Sequence, residues 1–78
     1  MNATVVVTVH LKEGVRDPAG EAVEAVLAQM GFPVANLRIG RQVVLEVQAP
    51  NPAEVGEAVA AQLLANPVLE TYQVEVRA

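Results

Sequence analysis

Two short pairs, Asp17-Pro18 and Asn51-Pro52, limit what this chain can fold into more than any other feature. An Asp or Asn side chain caps a helix by accepting from the free N–H groups of its first turn. Proline suits the first helical position, where its missing N–H costs nothing. Each pair therefore marks a helix start, and a strand-like alternation precedes each. In residues 4–12, Val5, Val7, Val9 and Leu11 point one way, while Thr4, Val6, Thr8, His10 and Lys12 point the other. That period predicts a strand with one dry face. Val6 makes the second face less polar than water favours.

After Pro18, the residues Ala19, Ala22, Val23, Val26, Leu27 and Met30 recur at helical spacing, and Gly31 supplies a left-handed stop. A first helix is predicted over 18–30. Residues 34–39 read as a short strand, Gly40-Arg41 as a hairpin turn, and 42–49 as the next strand. In that strand Val43, Leu45 and Val47 face inward, with Glu46 and Gln48 outward. Asn51-Pro52-Ala53-Glu54 has the form of a capping box. The second helix is expected to reach about Ala65, burying Val55, Ala58, Val59 and Leu63, with Asn66 standing in for glycine at the stop. Residues 72–77 alternate again. The order is β-α-β-β-α-β, which predicts an α+β, ferredoxin-like fold: a four-stranded antiparallel sheet with two helices on one face. The whole chain, 1–78, is expected to form one domain. The bare sheet face, carrying Val6 and Val44, invites pairing with a second copy.

Composition sharpens this. A core built from 78 residues supplies at most ~3–5 kcal/mol of net stability without help. With no cysteine there are no disulfides or thiolate metal sites, so association is the expected supplement. The net charge of −4 disfavours nucleic acid and anionic membranes. The apolar runs are too short to span a bilayer, and the N-terminus enters a strand pattern without a signal-peptide pattern. A cytoplasmic location is expected.

Catalytic chemistry finds little to work with. The chain has neither Ser nor Cys, so the usual acyl-transfer nucleophiles are missing. His10, the single histidine, reads as an outer-face strand residue with no second His or Cys to share a metal. Neither a phosphate-binding G-x-x-x-x-G-K-[ST] nor a G-x-G-x-x-G is present. Glu21, Glu24, Glu54 and Glu57 fall where helix surfaces want charge. Lys12, Arg16, Asp17 and Gly20 near the first helix start, and Arg38, Gly40 and Arg41 at the expected hairpin, stand out as a group even with Asp17 as a cap and Gly40 in a turn. These two groups are expected at opposite ends of the sheet, able to meet only through an oligomer or partner. An interaction surface suits them better than an anion site at the helix N-terminus.

At these residues the sequence resembles the PurS family, small subunits of bacterial and archaeal formylglycinamide ribonucleotide amidotransferase. The likeness covers nearly the whole chain. It runs through Leu11-Lys12, Val15 and Asp17-Pro18-x-Gly20, then Leu37-Arg38-Ile39-Gly40. It closes with Leu63-Leu64-Ala65-Asn66-Pro67-Val68-Leu69-Glu70-x-Tyr72, of which capping rules explain only the Asn-Pro. Arg41 stands where the family usually has lysine, which keeps the charge and changes the donor geometry. The resemblance implies a subunit without an active site or cofactor of its own. It implies a dimer or tetramer that joins a large synthetase subunit, which uses ATP and magnesium, and a glutaminase subunit with the catalytic cysteine. Together these convert formylglycinamide ribonucleotide to the amidine in purine biosynthesis, the small subunit bridging the others and assisting ammonia transfer. The candidate interface residues are Lys12, Arg16, Asp17, Arg38, Gly40, Arg41, Asn66, Glu70 and Tyr72. Two other classes share the topology. An ACT-like module would bind a small molecule, often an amino acid, and is usually fused to an enzyme. An acylphosphatase-like enzyme would need an arginine loop of which Gly14-Val15-Arg16 is only an echo.

Overall fold

The computed structural model describes residues 2–77. Strand β1 (Asn2–Leu11) is followed by helix α1 (Pro18–Gln29), strand β2 (Arg41–Gln48), helix α2 (Pro52–Val59), a π-helical turn (Ala60–Leu64) and strand β3 (Glu70–Arg77). The sheet is antiparallel, with β1 in the centre between β2 and β3. Val5 sits opposite Leu45 and Val76, and Val9 opposite Arg41 and Tyr72. The alternation of β1 works as its sequence implies: Val5, Val7 and Val9 are fully buried against α2, with Val47 and Ala60 completing the core.

Both helix starts form as capped. Asp17 accepts from Gly20 N at 2.9 Å, and Asn51 accepts from Glu54 N at 3.3 Å. Helix α1 ends in a Schellman motif. Gly31, at φ 90°, donates to Ala28 O, and Phe32 N donates to Leu27 O at 3.0 Å.

Several expectations about the fold need correction. The sheet has three strands, because residues 34–39 form none. Their backbone is satisfied elsewhere: Leu37 N donates to Glu24 Oε1 and Ile39 N to Asp17 Oδ2, each at 2.8 Å. Asn36 lies at φ 56°, outside any strand conformation, so no hairpin forms at Gly40-Arg41. Second, α1 does not cover the sheet. It contributes nothing to the core, and Val23, Val26 and Met30 are 41%, 54% and 65% exposed. The molecule is accordingly long and thin, 49 × 26 × 13 Å, with a radius of gyration of 15.7 Å against about 11–12 Å for a closed domain of this length.

Third, Leu63 is 81% exposed while Leu64 packs on the core. The π turn causes this. Ala65 N donates to Ala60 O rather than to the carbonyl four residues back, so the turn holds one residue more than an α-helical turn. The position stacked above Val59 passes from Leu63 to Leu64. Nor does Asn66 stop the helix in a left-handed conformation: it is absent from the positive-φ residues, and its side chain instead accepts from Val68 N at 3.0 Å in an Asx turn. On the opposite sheet face Val6 is 2% exposed, but its cross-strand partner Val44 is 60% exposed.

Candidate interface at the C-terminal end of the central strand

The two polar groups expected at opposite ends of the sheet lie at the same end. The antiparallel pairing requires it, since Arg41 opens β2 opposite Val9, near where β1 closes. Glu70 opens β3 opposite Leu11 at that same end. Three loops therefore converge there: residues 12–17, 36–40 and 65–70.

Asp17 organises the first half. Only 5% exposed, its carboxylate accepts from Ile39 N through one oxygen and from Gly20 N through the other. Those two backbone N–H groups, with the nearby Arg38 charge adding, hold its pKa below the ordinary carboxylate value. Gly20 is required by proximity. A Cβ there would lie 2.7 Å from both Asp17 Oδ2 and Leu37 O. Gly40 is pressed equally close to β1, with a Cβ position 2.7 Å from Val9 O. Arg38 donates to Lys12 O at 3.4 Å, so it has a local partner despite its exposure.

Glu70 organises the second half. Arg41 grips it through both guanidinium nitrogens, Nη1 to Oε2 at 2.6 Å and Nη2 to Oε1 at 3.0 Å. The same Nη2 also donates to Leu64 O, at the end of the π turn. Asn66 N adds a bond to Glu70 Oε1 at 2.8 Å. Arg41 first and Asn66 second pull the Glu70 pKa down to about 2. A lysine could not make this paired grip together with a third contact. Lys12 ties the halves together. Its backbone N–H donates to Leu69 O at 2.9 Å and its ammonium to Pro67 O at 2.6 Å.

Two hollows flank this end. One, of about 580 Å³, is lined by His10, Asp17, Glu21, Glu24, Leu37 and Arg38 among others. Three of its carboxylates are engaged: Asp17 and Glu24 hold backbone N–H groups, and Glu21 accepts from Arg16 Nε at 2.9 Å. The other, of about 230 Å³, lies between Lys12, Pro67, Glu70 and Tyr72. The Glu57 carboxylate, with desolvation, raises the Tyr72 phenol. Arg16 alone of the candidate residues stays apart, its only partner among the described residues being the exposed Glu21. Among the described residues no three His, Asp or Glu side chains are grouped to hold a metal. No helix among the described residues is long and apolar enough to cross a membrane.

The sequence left one contributor and one pairing unmarked. Glu24 had the spacing of a solvated helix residue, and nothing in its neighbours announced that it would anchor Leu37. The Arg41–Glu70 pair joins two strands that are separated in sequence by a helix. Its one trace is that both charges occupy inward positions of an alternating strand, in phase with Val43 and Tyr72.

Comparison with known proteins gives a consistent picture. Residues 4–78 match the family PurS, phosphoribosylformylglycinamidine (FGAM) synthase. The chain is 43% identical over 72 residues to the phosphoribosylformylglycinamidine synthase subunit PurS of Thermotoga maritima, covering 87% of this chain and 88% of that one. It superposes on a chain of the PurLQS structure from Thermotoga maritima with a TM-score of 0.90, at 37% identity and covering 99% of both. PurS of Thermus thermophilus gives a TM-score of 0.88 at 38% identity, covering 100% of this chain and 98% of that one. A three-stranded sheet with a projecting first helix and a polar cluster at one end is thus wrapped in a sequence matched almost throughout, and the chain belongs to the PurS family of phosphoribosylformylglycinamidine synthase subunits.

Proposed function

We propose that this chain is the non-catalytic small subunit that bridges the glutaminase and synthetase subunits of phosphoribosylformylglycinamidine synthase and assists ammonia transfer between them. The observation that carries this reading is the superposition on a chain of PurLQS over 99% of both chains. The chemistry of the polar end agrees with it: the carboxylates of Asp17, Glu24 and Glu70 are occupied in holding backbone, and the chain has no Ser or Cys to act as nucleophile. ATP and magnesium act on the synthetase subunit, and the complex works in the cytoplasm. The cluster formed by Lys12, Asp17, Arg38, Gly40, Arg41, Asn66, Glu70 and Tyr72 presents rigid loops to a partner, with Arg16 beside it.

The chain also associates with itself, as a dimer or tetramer. Support comes from α1, whose Val23, Val26 and Met30, continued by Phe32 and Val34, leave an apolar stripe exposed. A second copy covers that stripe. Reconstitution tests the whole reading. The isolated chain should show no glutamine hydrolysis and no amidine synthesis, and adding it to the large subunit and glutaminase should switch on glutamine-dependent activity. Turnover by the purified chain alone, or full activity without it, would overturn the reading.

A further inference from the structure

We propose that Arg41 and Glu70 form a register lock that holds the last turn of the second helix in its π form. A π turn is rare and is normally less favourable than an α turn of the same residues, so something outside the helix must select it. Leu64 and Ala65 pack on the core beside it, and a single side-chain hydrogen bond reaches the turn's last carbonyl among the described residues. Arg41 Nη2 donates to Leu64 O, the terminal carbonyl of the turn. The guanidinium is itself fixed on Glu70, whose carboxylate also accepts from Asn66 N, two residues after Leu64. Glu70 N donates to Asn66 O at 2.7 Å, which closes the loop onto the start of β3.

Both anchors stand on strands fixed by the ladder, opposite Val9 and Leu11. Helix α2 is fixed at its other end by close packing, Gly56 lying against Val5 and Val74. The path from Val59 to Asn66 is therefore pinned at both ends. With Leu64 O drawn to Arg41, that path takes up its extra residue as a π turn, with Ala65 N bonded to Ala60 O. Released, the turn falls back to α spacing, Ala65 N bonds Ala61 O, and Leu63 moves above Val59 in place of Leu64. The lock thus decides which of two adjacent leucines is displayed at the surface.

The chain by itself serves as the sample, so the result is independent of whether it meets other subunits. Hydrogen-bond scalar couplings by NMR on labelled protein report the partner of the Ala65 amide directly. Wild type should show coupling from Ala65 N to the Ala60 carbonyl. Arg41→Gln should lose it and gain coupling to Ala61, with the Leu63 methyl groups acquiring contacts to the core. Glu70→Gln, a milder change that keeps an acceptor for Asn66, should populate both registers. Retention of the Ala60 coupling alone in both variants would overturn the proposal. So would loss of folding in both, since a lock on register leaves a folded chain when it is opened.

Discussion

At Gly56 the packing between helix and sheet is tight enough to exclude a single methyl group. An added Cβ would lie 2.7 Å from Val5 Cγ1 and 2.9 Å from Val74 Cγ1, and both valines are stiff β-branched residues held in strands. Alanine would return about 1 kcal/mol of helix propensity, while overpacking costs ~1–3 kcal/mol. Gly56→Ala is expected to lower stability by up to ~2 kcal/mol, read as a lower urea midpoint, and a raised midpoint would show the contact to be soft. Glu70 makes a second prediction at this scale. Its folded pKa, about 2, lies below the ordinary 4.5, so its contribution is complete above pH 4.5 and drains away as pH falls toward 2. The melting temperature of wild type should therefore drop more steeply across that window than that of Glu70→Gln. Parallel curves would mean that the ion pair contributes no stability. Asp17, also depressed, acts in the same direction and remains in both proteins.

Among the elements, those with purely local causes were legible in the sequence. The alternation of β1 and the two Asp/Asn-Pro caps appear where their residues place them, and Gly31 closes α1 as its position implies. What escaped was decided by contacts distant in the chain. Residues 34–39 have strand-like composition, but Glu24 and Asp17 take the N–H groups a ladder needed. The shared end of the candidate site follows from antiparallel pairing, which the loop residues do not announce. Leu63 and Leu64 are alike in type, and only the π turn separates them. Leu64→Ala should cost about 1–3 kcal/mol, the part-buried share of a core truncation, and Leu63→Ala should stay within ~0.5 kcal/mol. Urea unfolding of the pair distinguishes the two phases, and the reverse order would contradict the turn.

The molecule as a whole is shaped by a helix that leaves its own sheet. A chain of this size can hardly spare apolar surface, yet α1 keeps Val26 and Met30 more than half exposed. Association is the physical remedy, so Val26→Glu and Met30→Glu should shift the species seen by sedimentation from dimer or larger to a monomer of about 8 kDa. An unchanged sedimentation profile in both variants would move the self-interface elsewhere. On the proposed reading the polar end is where other subunits are met, and Arg38 separates assembly from folding there. Its one hydrogen bond among the described residues, to Lys12 O at 3.4 Å, is long and exposed, so Arg38→Ala should melt within a few degrees of wild type. Across a subunit interface, a charged hydrogen bond that becomes buried is worth roughly 2–5 kcal/mol, which is at least tenfold in affinity. Titrating the variant into the large subunit and glutaminase, with glutamine-dependent synthesis as the readout, should then require at least ten times more of this chain for half-activation. Superimposable titration curves would place Arg38 on free surface, leaving the Arg41–Glu70 half of the cluster as the remaining candidate for the contact.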